Sequence, residues 1–170
     1  MNIKLLPISL TDASTIAKWK ADKELSKLIL SHFSPITVNE AELWITKNSL
    51  DPNQRLFGIY VYGRLLIGIA RLMFIDIDAR TAELGIYIGN NEYRGLGLGK
   101  TALKNLLNMA FQELNLNKIY LKVREDNLSA CKLYTSLGFQ IEGCLKEHFQ
   151  ENHVFQNHNI LCMAIFNNKN

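Results

Sequence analysis

The chain has few cysteines, no long apolar run and no excess of charge of one sign, and each shortage closes off a class of protein. Only Cys131, Cys144 and Cys162 occur in 170 residues. They are odd in number and lack C-x-x-C spacing, which sets aside a disulfide framework and a zinc site. They read as reduced thiols of a cytoplasmic protein. No run of roughly 18 apolar residues is present to span a bilayer, and the apolar part of MNIKLLPISL is too short for a secretory signal. The formal net charge is +3, from 19 basic and 16 acidic residues spread along the chain. Without a basic run or an aromatic–basic stripe, neither nucleic acid nor a membrane is an expected partner. His32, His148, His153 and His158 are scattered without ligand spacing, so no metal is expected.

What remains is the composition of one ordinary globular domain over residues 1–170, with 48% hydrophobic and 21% charged residues. Residues 2–8 read as a strand. Thr11 or Asp12 caps a helix carrying Ile16 and Trp19, and Lys23 to His32 continues in helical spacing. Thr37 and Glu40 form a capping box before a third helix. The period then changes to that of strands over Arg55–Tyr62, Arg64–Phe74 and Ala82–Ile88, with Tyr62-Gly63 as a hairpin turn. Leu103, Leu106, Leu107, Ala110, Phe111 and Leu114 make one apolar stripe along a long helix. A strand over 118–123, a helix from Asp126 or Asn127 through Leu137 and two strands around 139–149 and 154–165 complete the order. This is an α/β domain with a mixed central sheet.

The loop Arg94-Gly95-Leu96-Gly97-Leu98-Gly99-Lys100 joins a strand to the start of the long helix. Glycines let backbone approach a ligand, and the free N–H groups of a helix's first turn, with its dipole, suit a phosphate. Arg94 and Lys100 add two cations at the rim. A Walker loop would need glycine where Arg94 stands, and G-x-G-x-G is not the G-x-G-x-x-G spacing of a dinucleotide fold. On the residues alone, a phosphate site and a turn that only packs helix on strand both stay open.

The run Arg94-x-x-Gly97-x-Gly99 resembles the R/Q-x-x-G-x-G/A signature of the GCN5-related N-acetyltransferase (GNAT) superfamily. Asn127-Leu-Ser129 and Leu133-Tyr134-Thr-Ser-Leu137-Gly138-Phe139 resemble its N-x-x-[AS]…Y-x-x-x-G-F segment. Glu142-Gly143-Cys144-Leu145-Lys146 is similar to the E-G-x-L-[RK] of its ribosomal-protein N-terminal and spermidine acetyltransferase branches. The resemblance covers about residues 80–165. It implies a single-domain GNAT fold, the sheet splayed between strands four and five, with helices on both faces. It also implies acetyl-CoA as co-substrate. The pyrophosphate would rest on Arg94–Lys100, and the backbone of Ile86 and Ile88 would pair with the pantetheine arm. Asn127, with Ser129 beside it, would meet the cofactor from across the gap. Tyr134 would protonate the departing thiolate as general acid.

Acetyl transfer to an amine needs a neutral amine, and an alkyl ammonium with a pKa of about 10.4 must first lose a proton. Glu83, a charge inside the apolar strand AELGIYI, is the candidate base; an ion pair with Arg71 or Arg80 is its alternative. Alternation puts Glu83, Gly85 and Tyr87 on one face of the strand and Ala82, Leu84, Ile86 and Ile88 on the other. The oxyanion would meet a backbone N–H near Ile86. Cys131 and Cys144 lack an activating histidine pattern, and Trp19 and Trp44 read as packing residues. Residues 11–50 hold five acidic and five basic side chains, so no carboxylate cluster awaits a polyamine. The expected acceptor is a small-molecule primary amine, of amino-sugar or polyamine type. A protein N-terminus, and a CoA-binding module without turnover, are the alternatives. The expected assembly is a monomer or homodimer.

Overall fold

A computed structural model of the chain describes residues 2–30, 34–150 and 157–167. In these residues seven strands form one sheet: β1 (Ile3–Pro7), β2 (Arg55–Val61), β3 (Leu65–Asp76), β4 (Thr81–Ile88), β5 (Lys118–Arg124), β6 (Gln140–Gln150) and β7 (Asn157–Phe166). Their order is β1-β2-β3-β4-β5-β7-β6, and every neighbouring pair is antiparallel except β4 and β5. That parallel pairing is short, Thr81 with Lys118, Ala82 with Ile119 and Glu83 with Tyr120. Beyond it β4 runs to Ile88 and β5 to Arg124 without touching as a ladder. The sheet is splayed between its fourth and fifth strands, as the resemblance implies.

Among the described residues five α-helices cover the two faces: α1 (Ala13–Lys20), α2 (Lys23–Ser26), α3 (Val38–Leu50), α4 (Leu98–Asn108) and α5 (Leu128–Thr135). One core joins α4 and α5 to Ile67, Ala70, Leu72, Ala82, Leu84, Leu121 and Val123 of the sheet. The other joins α1, α2 and α3 to Leu56, Tyr60, Leu66 and Ile69, with Tyr87 packed against it. The apolar stripe of α4 is the deepest part: Leu103, Leu106 and Ala110 are fully buried. Burial on that scale contributes about 1.5–3 kcal/mol for each leucine. The stripe does not stay on a regular α-helix. Met109–Glu113 widens into a π turn, which keeps Ala110 buried while α4 gives way to β5.

The capping box forms as expected. Thr37 Oγ1 accepts from the Glu40 N–H at 3.2 Å, and Glu40 Oε2 accepts from the Thr37 N–H at 2.7 Å. The second helix is shorter than its spacing suggests. It ends at Ser26, and the expectation of helix through His32 fails by Lys27 (residues 31–33 lie outside the described residues). The physical reason is tertiary. The carbonyls of Lys27 and Leu28 accept from Arg124 Nη1 and Asn127 Nδ2, each at 3.0 Å, and so are drawn toward β5 and α5 rather than along a helix axis. The final turn expected near Glu151-Asn152, with His153, also falls outside the described residues.

Candidate active site

The parting of β4 from β5 leaves a cleft of about 800 Å³ that passes from one face of the sheet to the other. Beyond Glu83 no strand runs beside β4 on that edge, so part of its backbone faces the gap, with the Ile88 carbonyl taken by Arg94. One end of the cleft is the glycine loop. Gly97 stands at the start of α4 with φ 76° and offers no side-chain cap, and the first helical bond runs from Thr101 N–H to the Gly97 carbonyl at 3.2 Å. The N–H groups of Leu98, Gly99 and Lys100 therefore have no acceptor within the helix, and a group carrying negative charge can take them. A Cβ at Gly95 or Gly97 would meet nothing within 4 Å, so this approach is open.

Of the residues expected at the site, Glu83, Ile86, Ile88, Arg94, Gly95, Gly97, Leu98, Gly99, Lys100, Asn127, Ser129 and Tyr134 all line this one cleft. Leu96 does not; its side chain is exposed to solvent. Arg94 is not a free rim cation. Its Nε and Nη2 donate to the carbonyls of Ile88 and Gly89, both at 2.9 Å, and so staple the loop to the end of β4. Asn127 is also engaged: its oxygen accepts from Ala130 N–H and Ser129 Oγ, capping α5, while Nδ2 donates to Leu28. One amide hydrogen of Asn127 is left for a ligand.

Tyr134 sits on α5 with its ring buried against Phe139, centroids 5.7 Å apart. Burial, reinforced by the Cys131 thiol, pushes its phenol up to about 12, so it keeps its proton at neutral pH. Glu83 projects from the opposite face of β4. It lies in register with Met73 on β3 and Tyr120 on β5, while its neighbours Ala82 and Leu84 are in the core under α4 and α5. The alternation expected for this strand is observed. Arg80 is not a partner for Glu83, since its guanidinium donates to the carbonyl and side chain of Asn115 at 2.8 and 3.0 Å. Arg71 feels the Glu83 charge, yet among the described residues no ion pair within 4 Å joins them.

The other candidates fall away from the cleft. Burial pushes the Cys131 thiol up, the reverse of an activated nucleophile, and Cys144 is exposed. His148 is exposed, and His158 is buried with Nδ1 3.0 Å from Asp126 Oδ2. Sequence reasoning missed Lys20, Trp44, Tyr87 and Lys122 as lining residues. For Tyr87 and Lys122 the signal was strand alternation, which puts each on the face of β4 or β5 shared with Glu83 and Tyr120.

Residues 2–140 match the family model of the acetyltransferase (GNAT) domain. The chain belongs to the GNAT acetyltransferases. It is an acyltransferase whose co-substrate is acetyl-CoA, and its splayed sheet is that of the family. An uncharacterised N-acetyltransferase p20 of Bacillus licheniformis is 32% identical over 86% of this chain and 83% of its own length. A spermidine N(1)-acetyltransferase of Vibrio cholerae is 36% identical over 69% of this chain and 68% of its own. Among solved structures, the spermidine N-acetyltransferase of Vibrio cholerae in complex with CoA and spermine superposes with a TM-score of 0.86. It is 29% identical and the match covers 96% of this chain and 95% of that one.

Proposed function

We propose that the chain moves the acetyl group of acetyl-CoA directly to the primary amine of a small molecule, with donor and acceptor bound together. The observation that carries this reading is the placement of two proton-handling groups on opposite faces of one gap. Glu83 faces α1–α3, and Tyr134 faces it from the side of α4 and α5. The amine enters from the Glu83 side, and the carboxylate takes its proton directly or through a water. The thioester carbonyl lies in the gap with its developing oxyanion on a backbone N–H near Ile86. The thiolate leaves on the other side and receives the Tyr134 proton. The CoA diphosphate rests on the N–H groups of 98–100, with Lys100 at the rim. The pantetheine arm lies along the open edge of β4, where Ile86 and Ile88 supply backbone partners.

The energetics of the last step are tolerable. A phenol at about 12 and a free thiol near 8.5 differ by about 3.5 pKa units, or about 5 kcal/mol uphill. A barrier of about 16 kcal/mol supports a typical turnover of about 10 per second, so a step of this height fits beneath it. The same desolvation acts on the thiolate and narrows the gap.

Among small amines, the relatives favour a polyamine; the charges on this chain's acceptor side do not. The test is turnover of acetyl-CoA with a panel of amines, read by free-thiol release. Activity should fall about 10²–10⁴-fold in Tyr134→Phe while CoA affinity holds. Full activity in Tyr134→Phe would remove the acid from the account.

A further inference from the structure

The face of the cleft toward α1–α3 carries more positive charge than an amine needs. Arg71 of β3 stands opposite Gly85 of β4, and the absent side chain makes its room: a Cβ there would meet Arg71 Nε at 3.1 Å and Cγ at 3.4 Å. The guanidinium thus lies across the strand beside the gap. Lys20, at the end of α1, reaches the same place. Its Nζ lies 5.9 Å from the Trp44 ring centroid, it lines the cleft with Arg71, and burial, then the Arg71 charge, disfavour its charged form. Lys122 of β5, itself exposed, lines the cleft from the other side of the gap, on the face that also bears Tyr120. Arg124 adds nothing net, since Asp126 holds it through contacts of 2.9 and 2.7 Å. Against Lys20, Arg71 and Lys122, the described lining offers one carboxylate, Glu83.

Like charges gathered on the walls of one cleft cost free energy that an anion would recover, most of all at the half-buried Lys20 and Arg71. A guanidinium fork matches a carboxylate or phosphate in geometry, and an ammonium beside it adds charge. Resting on the acyl-transfer reading above, we propose that the acceptor is a compact amine whose skeleton also bears an anionic group, carboxylate or phosphate, held by Arg71 with Lys20 and Lys122. The amine lies toward Glu83 and the anion toward Arg71. These positions are diagonal neighbours on adjacent strands, roughly 7–8 Å apart at their backbones, so the two charges of the acceptor are a few bonds apart. A polyamine would bring a second cation against three.

The experiment compares kcat/KM for spermidine, a neutral monoamine, an amino acid and an amino-sugar phosphate, in the wild type, Arg71→Met and Arg71→Lys. The wild type should prefer at least one acidic amine to spermidine by tenfold or more; the two acidic substrates separate carboxylate from phosphate. Arg71→Met should cut the ratio of acidic amine to monoamine about 10–100-fold, mostly through KM, the loss expected for one charged hydrogen-bonding partner. Arg71→Lys should restore part of it, which a folding defect would not do. Preference for spermidine, with that ratio unmoved in Arg71→Met, would overturn the anion site and leave the acetyltransferase reading intact. Should the wild type turn over no amine, the acyl-transfer reading fails instead. Calorimetric titration of the acidic amines into CoA-saturated protein then decides: tenfold weaker binding in Arg71→Met supports the site, and equal or absent binding overturns it.

Discussion

Asp126 shows how one exposed carboxylate steadies a buried charge. Arg124 is only 9% exposed, and its guanidinium is held bidentately by Asp126, which also takes the ring of His158 at 3.0 Å. The Arg124 hydrogen bonds hold the Asp126 carboxyl below the usual range, since the charged form is the one they bind. A carboxyl depressed in the folded state contributes stability that is complete above its unfolded pKa of about 3.9 and lost as pH falls below it. Asp126→Ala should therefore lower stability at pH 7 by about 2 kcal/mol, a value discounted for the carboxylate's exposure. The variant's denaturant midpoint should also fall less than the wild type's between roughly pH 4 and pH 2. Equal acid sensitivity in the two proteins would contradict this. Gly89 makes the same kind of point for packing. A Cβ there would collide with the Trp19 ring, which also meets Tyr87 edge-on at 5.9 Å, so Trp19 fixes α1 to the end of β4.

At the scale of elements, the strands, the capping box and the glycine loop were legible because each rests on local chemistry. Alternation along AELGIYI gave the faces of β4 correctly, and Thr37 with Glu40 marked the start of α3. The short α2 was not legible, because the groups that end it, Arg124 and Asn127, lie far along the chain. Nor could spacing show that Arg94 would turn back onto Ile88 and Gly89. The loop itself makes a clear prediction. Gly97 holds φ 76°, a region that costs an alanine about 1–2 kcal/mol. Gly97→Ala should lower the melting temperature by a few degrees and weaken acetyl-CoA binding at least tenfold, the larger effect arising because its methyl group enters the path to the N–H groups of α4. Binding reduced no more than stability would show that no ligand approaches there.

Over the whole molecule, the two cores divide the labour. The one under α4 and α5 carries the glycine loop and Tyr134, and the one under α1–α3 carries the face of the cleft lined by Arg71, Lys20 and Glu83. The first half of the site was readable because family motifs fall on it. The second depends on side chains brought together from α1, β3, β4 and β5, and no spacing in the sequence joins them. Because a ligand that binds only the folded state stabilises it, acetyl-CoA at a hundred times its Kd should stabilise the fold by about 2.7 kcal/mol, a rise of roughly 5–10 °C. The most direct measurement is a crystal structure of the acetyl-CoA complex. The diphosphate should lie on the N–H groups of Leu98, Gly99 and Lys100, the pantetheine between β4 and β5, and the sulfur within hydrogen-bonding reach of the Tyr134 hydroxyl. A thioester bound anywhere other than between those two strands would contradict the account.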